Sequence, residues 1–187
     1  MGVAAGKVGA MYLMNIDHLG GYSPLKNNVL GTYPVGGCWC GQSYFVDSDG
    51  TASVVTSGGR IVRIWKLATS PKPALSKGPV SPAVAGGQDP GFFTSISSNG
   101  TAAPVIWAVS RPPDSSAKSP VYLYAFNPDA LTGSTMTQLF KGLAGHWPNL
   151  GGNSNIVPVV ANGEVFVASN QELVIFGMRA AKATNKK

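Results

Sequence analysis

The sequence predicts an all-β chain, a partial β-propeller of four-stranded antiparallel blades, and three observations carry that expectation. Twenty-four Gly and fourteen Pro make up about a fifth of the 187 residues, a composition that favours many short strands and turns over helices. Runs of five to eight β-branched, aromatic and aliphatic residues recur along the chain. Three pairs of runs are joined by Asp-Gly or Asn-Gly, whose glycines Gly50, Gly100 and Gly163 are spaced by 50 and 63 residues.

Each unit reads the same way. Residues 42–46 and 51–56 flank Asp49-Gly50, residues 93–97 and 104–109 flank Asn99-Gly100, and residues 156–160 and 164–168 flank Asn162-Gly163. These dipeptides supply the positive φ angles of tight hairpins. A third strand follows each hairpin, at residues 60–67, 121–126 and 172–176, and a looser fourth element follows twice, near residues 72–77 and 136–140. Four strands per unit and a period of this length are the marks of propeller blades. The longer second interval is assigned to inserted loops, notably residues 112–120. At the start, residues 9–17 read as a third strand with no first or second strand before it, and at the end no fourth strand follows Phe176-Gly177. Residues 1–178 are therefore divided into a partial blade (1–35), two full blades (36–80 and 90–142) and an incomplete one (153–178), with a basic disordered tail at 179–187. About three and a half blades are expected, ending where the fold itself ends. No stretch keeps a helical period, residues 130–139 included.

Charge narrows the function classes. Only 12% of residues are charged, against roughly 25% in an average domain. Of the net +6, four positive charges (Arg179, Lys182, Lys186, Lys187) sit in the last nine residues, leaving ten basic against eight acidic residues elsewhere. Without aromatic or Gly-Arg interleaving, this pattern argues against a nucleic-acid partner. No apolar run approaches the ~18–20 residues of a transmembrane helix, and residues 1–14 lack the plan of a signal peptide.

The residues also resemble a family. Gly6-Lys7-Val8-Gly9-Ala10-Met11-Tyr12-Leu13 resembles a strand of the PQQ-like (quinoprotein-type) β-propeller repeats, and residues 158–168 (PVVANGEVFVA) are similar to another stretch of that repeat. Residues 172–177 (ELVIFG) are similar to the terminal blade of secreted bacterial members. The resemblance implies the C-terminal portion of a longer propeller, a periplasmic or extracellular location, and missing N-terminal blades or a second copy as the partner that completes it. An open partial propeller would then dimerise, aggregate or be marginally stable. Its enzymes use PQQ, a calcium-type cation, a carboxylate base and, in some, a disulfide between adjacent cysteines. Here Trp39 separates Cys38 from Cys40, and no residue matches the base or the metal-binding Glu and Asn.

Candidate sites are few. Cys38 and Cys40 fit a disulfide or redox pair, or two buried thiols, and no further Cys or His cluster completes a zinc site. Asp47-Ser48-Asp49-Gly50 looks like the start of a calcium loop, but Phe45 and Thr56 occupy the first and twelfth positions where acidic ligands belong. His18 and His146 lack a Gly-x-Ser-x-Gly elbow, so neither marks a hydrolase triad. Asn99-Gly100-Thr101 matches a glycosylation acceptor and equally a hairpin turn. The loop holding His146, Trp147, Asn149 and Asn153 combines an aromatic ring, an imidazole and amides, and is the candidate contact for a small-molecule or glycan ligand. The leading expectation is a propeller scaffold that binds through its loops, with no catalytic or metal residues and no cofactor. The alternative is a fragment of a PQQ- and calcium-dependent dehydrogenase of alcohols or sugars. A lectin-like propeller resting on Trp39, Trp147 and the amide-rich loop is a third.

Overall fold

The computed structural model describes residues 1–37, 40–84, 91–114, 116, 118–148 and 155–177. Fourteen strands are present among them, and no helix. A first sheet holds β1 (Gly2–Ala5), β2 (Ala10–Met14) and β3 (Gly31–Pro34) in that order. A second holds eight strands: β4 (Ser43–Val46), β5 (Ala52–Thr56), β6 (Arg63–Ala68), β7 (Ala74–Val80), β8 (Thr94–Asn99), β9 (Ala102–Val109), β10 (Pro120–Thr132) and β11 (Thr135–His146). Their spatial order is β4-β5-β6-β7-β11-β10-β9-β8. The last sheet is β12 (Val159–Ala161), β13 (Glu164–Ser169) and β14 (Glu172–Gly177).

The all-β expectation holds, and the hairpins turn at the predicted glycines, with φ of +82° at Gly50, +62° at Gly100 and +77° at Gly163. The propeller expectation does not hold. Instead of separate four-stranded blades, the two central meanders join into one continuous sheet. β7 and β11 pair in parallel at Val80 and Thr135, and the Val80 N–H donates to the Ser134 carbonyl at 2.9 Å. The far ends of this sheet approach each other too. The Ser43 hydroxyl lies 2.9 Å from the Thr94 carbonyl and 2.7 Å from the Thr94 hydroxyl. The eight strands thus curl into a nearly closed barrel. The physical reason lies in the fourth strands, which read as loose elements near residues 72–77 and 136–140. They are longer, residues 74–80 and 135–146, and reach far enough to pair with each other.

Two further expectations are corrected. β1 precedes β2 and pairs with it antiparallel over four residues, so residues 9–17 are not an orphan third strand. The long second interval is filled chiefly by the β10–β11 hairpin, which turns at Gly133 and carries register shifts, rather than by inserted loop.

Strand alternation feeds three cores. Side chains of successive residues point to opposite faces of a sheet, and here both faces are covered. Val55 and Ile64 enter the barrel interior with Ile106, Tyr124, Phe126 and Met136. Their neighbours Val54 and Trp65 face the other way, onto Met11 and Leu13 of the first sheet. On the opposite wall, Val109, Val121 and Leu123 pack against Val165 and Val167 of the last sheet. Several buried polar groups are partnered within these layers, while the buried Ser169 hydroxyl of the last sheet has no hydrogen-bond partner among the described residues. The Trp65 indole N–H donates to Thr56 Oγ1 at 2.9 Å, and Asp47 Oδ2 accepts from the Ser53 hydroxyl at 2.8 Å while meeting the Lys66 ammonium.

Phe126 is fully buried in the barrel interior. Phe126→Ala is expected to cost about 3–5 kcal/mol, the usual penalty for emptying a large aromatic site. Thr56→Val, which strands the Trp65 N–H, is expected to cost about 1–3 kcal/mol. Urea unfolding measures both, and equal midpoints for Phe126→Ala and the parent chain would contradict a packed barrel core.

Candidate functional site

A polar and an apolar cleft lie where the last sheet meets the β8–β11 wall, beside a third of mixed lining between residues 94–96 and 157–160. The first is polar. Backbone hydrogen bonds draw three segments together: the Trp147 N–H donates to the Ser119 carbonyl at 2.8 Å, and the Asn170 N–H donates to the His146 carbonyl at 3.0 Å. Lys118, His146, Asn170, Gln171 and Glu172 line the resulting cleft of ≈ 370 Å³. His146 Nδ1 sits 3.3 Å from Glu172 Oε1, with both side chains substantially exposed. Such an exposed pair orients the imidazole more than it stabilises the fold.

Of the sequence-derived loop, His146 and Trp147 are among the described residues. His146 enters the polar cleft, whereas Trp147, one residue on, turns the other way and packs against the third core. Asn149 and Asn153 lie outside the described residues. Cys40 is disulfide-bonded, and Cys38 lies outside the described residues. His18 sits in an exposed turn, its N–H donating to the Asn15 carbonyl and its own carbonyl accepting from Asn28 Nδ2. Asp49 closes the turn of its hairpin. Hydrogen bonds from Thr51, the backbone N–H first, hold its carboxyl below the usual value. Among the described residues, no three His, Cys, Asp or Glu side chains gather as a metal ion would require.

The second cleft is apolar and was not foreseen. It measures ≈ 550 Å³ and is lined chiefly by Trp107, Phe140, Val165, Ile175 and Phe176, with Ser97 contributing a hydroxyl. Its size falls within the range of small-ligand sites. Phe140 and Phe176 meet edge to face, with ring centroids 5.5 Å apart. The Trp107 indole N–H donates to Ser97 Oγ at 2.8 Å, which fixes the indole and leaves its apolar body toward the cleft. Because its walls come from β8, β9, β11 and the last sheet, no local motif announces it. Only the structure shows it, through Phe140 and Ile175, apolar residues that remain 38% and 50% exposed.

Sequence reasoning also passed over Arg111. It is 2% exposed, and its guanidinium donates to the Gly91 carbonyl and lies 3.5 Å from Asn155 Oδ1. Burial lowers its pKa from the usual arginine value. Among the described residues, no helix is long and apolar enough to cross a membrane.

No protein-family model, curated protein or solved structure matches the chain. Together with the continuous eight-stranded sheet, this corrects the resemblance to PQQ-like propeller repeats. Neither a propeller scaffold nor a PQQ- and calcium-dependent dehydrogenase is supported by the fold or by any match. What the fold defines is a layered all-β protein with a polar and an apolar cleft among those beside its terminal sheet.

Gly145 holds the polar cleft's floor in place. Its φ is +100°, and a Cβ there would stand 2.0 Å from Ser169 Oγ and 2.7 Å from Glu172 Oε2. Gly145→Ala is expected to lower the unfolding free energy by about 1–3 kcal/mol, and adding Ser169→Gly is expected to restore part of the loss. Thermal unfolding of the single and double variants checks the pair, and full additivity of the two changes would argue against the contact.

Proposed function

We propose that the chain is a protein-binding module whose seat is the apolar cleft between the β8–β11 wall and the last sheet. The observation that carries this reading is the continuity of the cleft with the third core. Trp107, Val160 and Phe176 pack against that core and also line the cleft. The interface between layers therefore continues to the surface as an aromatic wall, able to accept apolar side chains of a partner polypeptide at little cost in rearrangement. Aromatic anchors in a preformed cleft are the usual source of binding energy at such sites.

A second reading is supported by the polar cleft. Lys118, His146, Glu172 and the Asn170 and Gln171 amides offer donors and acceptors of both signs in one small space. This suits a small polar ligand such as a glycan. His146→Ala is expected to abolish any glycan-array signal of the parent chain, and a silent parent would remove this reading. We also propose an extracytoplasmic location, supported by the disulfide-bonded Cys40, since such bonds persist mainly in oxidising compartments.

The apolar dye ANS tests the main reading. It is expected to bind the folded chain with a blue-shifted emission and to receive energy from Trp107, and Phe140→Ala is expected to weaken binding at least tenfold. Phe140 is already 38% exposed, so its truncation spares the core. ANS binding that ignores Phe140→Ala, or no binding at all, would overturn the assignment of the cleft.

A further inference from the structure

The internal comparison of the meanders points to what fills the cleft. In the central sheet, β6 is followed by β7 and β10 by β11, each added antiparallel on the side away from the first strand of its meander. The last sheet repeats the first three positions: β12, β13 and β14 pair in order, and among the described residues no strand pairs with the outer edge of β14. An open strand edge is a row of backbone donors and acceptors ready to take another strand. β14 offers six residues of such edge, held straight by six consecutive pairs with β13.

The cleft and this edge are one feature. Ile175, Phe176 and Gly177 of β14 line the cleft, with Phe140 of β11 facing Phe176 across it. A strand laid along β14 would place alternate side chains over Phe140 and Phe176. Its other side chains would extend an exposed cross-strand row on the outer face, where Val159 pairs with Phe166 and Phe166 with Ile175. Val159 and Ile175 are 55% and 50% exposed. Both faces of an incoming strand would therefore meet apolar surface. Carboxylates stand at the two ends of the edge: Glu172 begins β14, and Glu164 is the cross-strand partner of Gly177.

We infer that β14 is an acceptor edge for a fourth strand supplied by another polypeptide. That segment runs antiparallel to β14, is apolar at alternate positions, and carries basic residues toward its ends. Main-chain hydrogen bonds to β14 provide the alignment, and the apolar cleft selects the side chains. The inference rests on the cleft being a protein-binding seat, and adds how the partner sits in it.

The test uses the full chain and a blocked peptide, Lys-Val-Thr-Val-Thr-Val-Thr-Lys, apolar at alternate positions and basic at both ends. Two further peptides carry N-methyl groups on alternate residues, one in each frame. The parent peptide is expected to slow hydrogen exchange of the β14 amides at least tenfold. One methylated frame is expected to lose at least tenfold in affinity and the other to bind like the parent, because only alternate amides of an added strand face its neighbour. If both methylated peptides bind like the parent, side chains are captured without strand addition; this inference falls and the binding-module reading stands. If the parent peptide fails while ANS still binds at Phe140, this inference alone falls. If neither binds, both fall. Light scattering supplies the last arm: a dimer that dissociates on Ile175→Lys would make a second copy the occupant and overturn the assignment to another polypeptide.

Discussion

The structure depends on burying both faces of its central strands. β5, β6, β9 and β10 each send successive side chains into different cores, so that Val54 and Val55, or Ile64 and Trp65, are neighbours in sequence and belong to separate interiors. A sheet covered on both sides cannot tolerate many charges, and the low charged content of the chain follows from that. Some buried polar groups are tied between neighbouring strands, as Trp65 to Thr56 and Asp47 to Ser53, and others across the fold, as Ser57 to Phe92. The terminal sheets serve as covers. Each buries one face and leaves the other to solvent, which is why surface apolar residues such as Ile175 collect there.

Much of the local structure was legible in the sequence. The Asp-Gly and Asn-Gly dipeptides fix hairpins through backbone geometry alone, and the runs that follow them are strands because β-branched and aromatic residues crowd them. What could not be read was the fate of the strands beyond each hairpin. β7 and β11 look weak in sequence: β7 contains Lys77, Gly78 and Pro79, and β11 contains Lys141 and Gly142. Their pairing joins residues 80 and 135, a contact with no local signature. A repeat of hairpins is compatible with separate blades and with one curled sheet, and the choice is made by this single long-range bridge and by the contact between Ser43 and Thr94.

The sites follow the same logic. His146, a residue of the candidate ligand loop, lies in a polar cleft with Glu172. Its assumed companion Trp147 belongs to the core, because adjacent residues of an extended segment face opposite ways. The apolar cleft escaped notice since Ser97, Trp107, Phe140 and Phe176 come from four strands spread over some eighty residues, and each alone reads as ordinary core.

The meander connectivity has a consequence for how the chain folds. Nearly every strand pairs with the one before it in sequence, so each meander can form from local contacts, which is the fast kind of assembly. The Ser43–Thr94 contact spans 51 residues and joins two meanders, and it belongs to the closing stage rather than the nucleus. Unfolding should run in the reverse sense and from the outside inward. A terminal sheet, held by one core, forms a separate cooperative unit that opens at a lower free energy than the doubly covered strands. The proposed binding surface would then sit on the least stable layer, so that occupancy and local order would be thermodynamically linked.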